Sequence, residues 1–261
     1  MGGVAAVEGG AARVRSGLSR FASPAESGSD RAVISVVIPT LNAAPTLAGA
    51  LAPLVAGAVK GVVKEVVVAD GGSGDATLEI AEEAGCRIVR SARGRGTQLR
   101  AGCAAAKADW LLALHADTRL SEGWIGAVRT HVAAGEWTAG YFGLAFDDLS
   151  WTARLFEAGA AARCRLLGLP YGDQGLLISR RLYEAVGGYA EQPLFEDAEM
   201  AKRLGRARLR PLAAKAVTSA ERYRREGWWR RWAHNQALLL RWKLGADPAA
   251  LARAYGRERK D

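Results

Sequence analysis

The chain has 261 residues, 49% hydrophobic and 24% charged, which excludes a disordered chain and leaves enough apolar side chains for a sizeable core. The formal charge is +9. Residues 222–260 hold 11 Lys and Arg against 3 Asp and Glu, a net of +8, so the rest carries only +1. A polymer-binding protein spreads its basic surface, so this distribution argues against nucleic acid as partner. Four of the eight Trp residues, Trp228, Trp229, Trp232 and Trp242, share that basic segment.

Cys86, Cys103 and Cys164 are odd in number and lack a Cys-x-x-Cys pair, so neither a disulfide framework nor a zinc ribbon is expected. Small buried thiols in a reducing compartment are expected instead. Residues 1–30 are rich in Gly, Ala and Ser and are expected to be disordered. Arg13, Arg15 and Arg20 resemble a transit peptide, but Glu8, Glu26 and Asp30 count against that. Residues 32–59 carry no charge, yet Pro39, Asn42, Pro45 and Pro53 exclude a membrane span. A cytoplasmic location is expected, with the tail the segment suited to a membrane surface.

Residues 33–39 are a β-branched run ended by proline and read as a buried parallel strand. A helix is predicted over 45–58, with Pro45 in its first turn. Residues 65–70 form a second strand, 71–75 a loop, and 76–84 a helix capped by Asp75. A strand at 87–90, a glycine-punctuated loop, a helix near 97–107, a strand at 110–115 and a helix near 121–134 follow. This alternation predicts a mostly parallel α/β sheet with ligands beyond the carboxyl ends of its strands. Those ends carry Thr40 and Asn42, Asp70, the loop at 93–95, and His115 with Asp117. Beyond them a hairpin is predicted at 137–148, helices at 151–167 and 181–186, a short strand at 176–178, a helix from Glu196, and a last core strand near 211–218. Residues 227–244 read as a helix with an apolar stripe of Trp229, Ala233, Ala237, Leu240 and Leu244. That stripe suits packing on the domain, pairing with a second subunit, or an anionic membrane.

Taken alone, Asp70 followed by Gly71-Gly72-Ser73-Gly74 suits a carboxylate that binds a base or ribose, or an ordinary turn. Asp117 suits a hard divalent cation completed by diphosphate oxygens and water, with His115 as a ligand, a donor or a bystander. Glu196, Asp197 and Glu199 at a helix start suit a general base or complementation of the helix dipole. Asp173 and Gln174 suit ligand contacts or a self-satisfied turn. Arg222, Arg224 and Arg225 suit a diphosphate or plain surface charge.

In this order, Val36–Asn42, Val68–Thr77, Gly94–Leu99, Leu114–Thr118 and Phe195–Asp197 resemble family-2 glycosyltransferases of the GT-A fold, in particular a small branch with a His-Ala-Asp-Thr motif. The resemblance covers about residues 33–225 and implies three parts: a disordered 1–30, a catalytic domain over 31–221 and a basic segment over 222–261. It implies inverting transfer of a sugar from a nucleoside diphosphate, UDP by preference, to a hydroxyl acceptor. Pro39, Thr40 and Asn42 would lie by the nucleotide, Asp70 and Gly71 by the base, Arg95 and Gln98 by the ribose or donor sugar. His115, Ala116 and Asp117 form the metal motif, with Asp117 binding Mn2+ or Mg2+. Asp197 would be the catalytic base; Asp173, Gln174, Glu196, Arg222 and Arg224 would meet acceptor or diphosphate. His115 replaces the first acid of the family's Asp-x-Asp motif, and Ala43 stands where Glu is frequent. Two other readings are a nucleotidyltransferase, which lacks its glycine-rich loop here, and a non-catalytic nucleotide-sugar or membrane-surface binding module.

Overall fold

The computed structural model describes residues 33–257. The segment 1–30 expected to be disordered lies outside the described residues. Eight strands form one sheet: β1 (Ile34–Thr40), β2 (Val63–Asp70), β3 (Arg87–Arg90), β4 (Trp110–Ala113), β5 (Thr118–Leu120), β6 (Ala139–Phe146), β7 (Leu176–Ser179) and β8 (Leu209–Thr218). Their order is β3-β2-β1-β4-β7-β6-β8-β5. The helices are α1 (Ala44–Val59), α2 (Thr77–Glu83), α3 (Arg95–Ala105), α4 (Trp124–Ala133), α5 (Trp151–Leu167), α6 (Arg180–Ala185), α7 (Glu196–Leu204), α8 (Glu221–Glu226), α9 (Trp228–Lys243) and α10 (Pro248–Arg257).

The first half follows its sequence signals. β1 lies between β2 and β4, parallel to both, and is buried throughout. Its residues alternate between two cores, as the two-residue period of a strand requires. Val36 and Ile38 join Val66, Val68 and Leu112 beneath Leu47, Leu51 and Leu54 of α1. Val37 joins Val67, Leu111 and Ile178 beneath Leu99 and Cys103 of α3 and Met200 of α7. Each such buried aliphatic side chain is worth about 1.5–3 kcal/mol, so both faces of this strand must be covered. α1 runs through Pro53 with its predicted bounds nearly unchanged. α2 starts at Thr77 with Ala76, not the expected Asp75, at its N-cap; Asp75 stands one residue earlier and its Oδ1 accepts the Thr77 amide at 3.0 Å. All three cysteines are free, Cys103 and Cys164 buried.

The second half departs from expectation in three places. Residues 139–146 form one strand, parallel to β8 and antiparallel to β7, rather than a hairpin. Gly140 lies within this strand, where a Cβ would sit 2.6 Å from Leu212 Cδ2. β5 was not expected at all. It pairs antiparallel with β8, Thr118 opposite Thr218. This pairing sets Asp117 beside the chain leaving β8 at Ser219. Finally, α8 and α10 are helices where a loop and no element were expected. Asp247 caps α10 by accepting the Ala249 and Ala250 amides at 3.0 and 3.2 Å.

α9 carries the largest correction. The stripe Trp229, Ala233, Ala237, Leu240 and Leu244 does not pack on the domain: all five residues are exposed. The buried residues of α9 are Arg231, Leu238 and Leu239, on its other side. Trp228 joins Phe146, Phe156 and Tyr223, while Leu238 packs with Leu194 and Leu251. No helix among the described residues is long and apolar enough to cross a membrane.

Candidate functional site

The carboxyl ends of β1 and β2 are laced together. Thr40 Oγ1 donates to Asp70 Oδ1 at 3.0 Å, and Ser73 Oγ does so at 2.5 Å. The Gly72 and Ser73 amides donate to Asp70 Oδ2, each at 2.9 Å. Burial pushes the Asp70 carboxyl up, but the Ser73 and Gly72 bonds outweigh it and its pKa is lowered. Asn42, at φ 52°, donates its amide to Ser73 Oγ and accepts the Gly74 amide on Oδ1, both at 2.9 Å. Gln98 Nε2 donates to the Thr40 and Ala69 carbonyls at 2.6 and 2.9 Å, bridging the two strands. Gly71 is needed there, because a Cβ would lie 2.9 Å from Gln98 Cδ. Pro39, Thr40, Asp70 and Gln98 are all buried.

A cleft of about 300 Å³ opens beside this lacework. Of the expected site residues, Arg95, His115, Asp117, Asp173, Asp197 and Arg222 line it. Pairing of β7 with β4, Leu176 opposite Ala113, brings the 3-10 turn Gly172–Gln174 against His115. The β5–β8 pair brings Arg222 into the same cleft. α7 aims its first turn at it, after Phe195 at φ 63°.

Arg95 is the hub. Its Nη2 lies 2.7 Å from His115 Nε2, 2.7 Å from Glu196 Oε1 and 3.7 Å from Asp197 Oδ2. Burial lowers its pKa, but the Glu196 and Asp197 carboxylates raise it further and keep it charged. An arginine only donates, so His115 Nε2 accepts and Nδ1 bears the proton. That Nδ1 is 3.9 Å from Asp117 Oδ1. Burial, then the charges of Arg95 and Arg222, hold the His115 pKa well below its usual value, so the imidazole is neutral. Gly172 fits because nothing larger does: a Cβ would sit 2.5 Å from both Arg95 Nη2 and His115 Nε2.

Asp197 is held from its own backbone side. Oδ2 accepts the Gly172 amide at 2.5 Å and Oδ1 the Ala198 amide at 2.6 Å. Its side chain keeps 20% exposure toward the cleft. Glu196 beside it is fully buried, and burial, against Arg95, pushes its pKa up. Asp173 Oδ1 is buried without a hydrogen-bond partner among the described residues. Burial pushes the Asp173 carboxyl up to about 6, against Arg163 and with Asp197 and Asp117.

Three expected contacts are placed elsewhere. Gln174 is buried away from the cleft, where it donates to the Phe142 carbonyl at 3.0 Å and accepts from Arg163 at 3.0 Å. Glu196 does not line the cleft; Arg95 screens it. Arg224 reaches Asp147 and Asp148 at 3.6 and 3.5 Å instead. Tyr223, Arg231, Asn235, Leu238 and Tyr255 line the cleft and were not expected there. Arg231, Asn235 and Leu238 lie on the inner side of α9, which its pattern did not distinguish from the exposed one, while Tyr223 and Tyr255 lie on α8 and α10, where no helix was expected.

No group of three or more His, Cys, Asp or Glu among the described residues is placed to hold a metal ion. Asp117 nonetheless fits a cation shared with a ligand. Its carboxylate is 40% exposed in the cleft and is a hard oxygen donor. His115, its Nδ1 protonated and Nε2 occupied, is not a ligand in this arrangement.

Residues 35–140 match the model of the glycosyl transferase family 2. That span holds the lacework and Asp117 but stops before Asp173, Asp197 and Arg222. Among solved structures, mannosyltransferase PcManGT from Pyrobaculum calidifontis, in complex with GDP-Man and Mn2+, is 17% identical, with a TM-score of 0.54 over 81% of this chain and 64% of that one. TarS 1–349 of S. aureus in complex with UDP is 16% identical, with a TM-score of 0.54 over 72% of this chain and 61% of that one. A further structure of S. aureus TarS is matched at 15% identity and a TM-score of 0.51, over 72% of this chain and 35% of that one. The chain therefore spans about a third to just under two thirds of these structures. No curated protein matches it. The shared architecture is that of the GT-A fold: a mixed, mostly parallel sheet flanked by helices.

Proposed function

We propose that this chain is a glycosyltransferase, moving a sugar from a nucleoside diphosphate, UDP by preference, to an acceptor hydroxyl with inversion. The observation that carries the reading is the cleft, where Asp117, Asp173 and Asp197 meet Arg95 and Arg222 at the carboxyl ends of a GT-A sheet. The family match over 35–140 and the fold shared with structures holding UDP or GDP-Man support the donor class.

In this reading Asp197 accepts the proton of the acceptor hydroxyl as its oxygen bonds to the anomeric carbon and the bond to the diphosphate breaks. One displacement inverts the centre, and one base suffices. The Gly172 and Ala198 amides fix the direction of the Asp197 carboxylate, which is the positioning such a base requires. Arg222 faces the diphosphate, and Arg95 keeps Glu196 and His115 in place behind it. Asp117 would hold Mn2+ or Mg2+, which when bound offsets charge on the departing diphosphate. α9 and α10 wall the cleft with Leu238 and Tyr255 and limit the water that reaches it. Thr40, Asn42, Asp70 and Gln98 hold the nucleotide-side edge in shape.

The test is a panel of UDP and GDP sugars with and without Mn2+, read by thermal shift and by release of nucleoside diphosphate. One donor is expected to raise the melting temperature only with the metal, and Asp117→Ala to lose that increment. A flat panel, with neither shift nor release, sinks the reading.

A further inference from the structure

α9 has two faces, and only one of them serves the cleft. Arg231, Asn235 and Leu238 line it. At about 100° per residue Trp229 falls on the opposite side, Trp232 at its flank about 90° round from the cleft, and Leu240 and Leu244 again opposite. They are 58, 46, 58 and 79% exposed, although all four are large apolar side chains. Ala233 and Ala237 complete the same strip. It continues towards α5, where Phe156 lies 5.2 Å from the Trp229 ring and Trp151 and Leu155 are themselves exposed.

We propose that this face seats α9 flat on the surface of an anionic lipid bilayer. Three observations choose that occupant. The strip is built of Trp and Leu, the residues that sit at a headgroup boundary. Its flanks are cationic: Arg230 and Arg241 lie along one edge, Lys243 along the other, and no Asp or Glu occurs from 227 to 246. A second copy of the chain would set like charges against each other across the same strip, whereas acidic headgroups complement them. From Trp229 to Leu244 the helix is about 22 Å long, enough to lie along a surface. The contact lies on the side of α9 turned away from the cleft, about one helix diameter, 10 Å, from it. It does not depend on the proposed reaction.

The experiment mixes the full chain with phosphatidylcholine vesicles, with or without about one third phosphatidylglycerol, and measures sedimentation and Trp emission. Three cations at the surface predict partitioning on the order of a hundredfold stronger to the anionic vesicles, with a blue-shifted emission. Trp229→Glu with Leu240→Glu is expected to lower it by at least about tenfold, with the melting temperature lowered only by loss of the Phe156 contact. Arg230→Glu with Arg241→Glu is expected to remove the preference for anionic lipid. The proposal falls if the full chain stays in the supernatant, if it binds both vesicles equally, or if the paired change at Trp229 and Leu240 leaves binding intact. It also falls if the chain is a dimer that this paired change splits while vesicles bind neither form.

Discussion

Two regions at the carboxyl edge of the sheet contrast sharply. On the β1–β2 side, Thr40, Asn42, Asp70, Ser73 and Gln98 spend their polar groups on one another. On the β4–β7 side, Asp173 Oδ1 and Glu196 Oε2 are buried with no hydrogen-bond partner among the described residues. Buried polar groups are nearly always satisfied, so a cluster of exceptions marks a place arranged for something else. The first region is a finished scaffold. The second is a cleft whose charges are set before a ligand arrives, as preorganised catalysis requires.

The contrast breaks most visibly at Asp197. Asp197→Asn keeps the size and loses the base, though its NH2 must face one of the two amides the carboxylate accepts; turnover is expected to fall by about 10²–10⁴-fold, with about 1–2 kcal/mol of stability lost. Measured release of nucleoside diphosphate near the parent rate would move the base elsewhere.

Gly172→Ala sharpens the comparison from the steric side. Its Cβ would meet Arg95 and His115 at 2.5 Å, so one of them must move. A displacement near 1 Å costs about 10²-fold in turnover, and overpacking costs about 1–3 kcal/mol of stability. Parallel activity and denaturation curves check both parts.

Gln98→Leu probes the scaffold. It removes both bonds that tie Thr40 to Ala69, although the Thr40 carbonyl keeps the Gly71 amide at 3.0 Å. A stability loss of about 1–2 kcal/mol is expected. Urea midpoints test it, and an unchanged midpoint with a large loss of donor affinity would make Gln98 a ligand rather than a brace.

Much of this was legible in the sequence where signals are local. β1 and β2 are β-branched runs closed by Pro39-Thr40 and Asp70-Gly71, and α1 begins at a proline. β5 was not legible: three residues become a strand only through β8, about a hundred positions away. α10 does carry a local signal in Asp247-Pro248, a cap followed by a helix-starting proline, although no element was expected there. Asp117 and Asp197 could be named from motif order, and Arg222 only as one of three arginines in the loop after the last core strand. Arg231 and Asn235 could not, because Trp and Leu occur on both sides of α9, and Tyr255 could not, because it sits on α10, where no element was expected. Periodicity shows that such a helix has faces, not which of them docks.

The smallest effect is a slope, at Asp173. Its carboxyl titrates near 6 in the folded chain because burial disfavours the anion, against 3.8 for a free side chain. Between those values the folded state keeps a proton that the unfolded state has released. The unfolded state therefore gains from each rise in pH across that window, and the parent loses stability as pH climbs from 4 to 6. Above the window the loss is complete and constant. Asp173→Asn has no proton to keep, so its stability relative to the parent should rise from pH 4 to 7. Glu196 adds a slope of the same sign, but it is present in both proteins and largely cancels in the difference. Urea midpoints taken across that range decide the matter. Parallel curves for the two proteins would mean that Asp173 is solvated as an ordinary carboxylate, and the cleft would lose one of the buried charges that set it apart from the satisfied edge beside it.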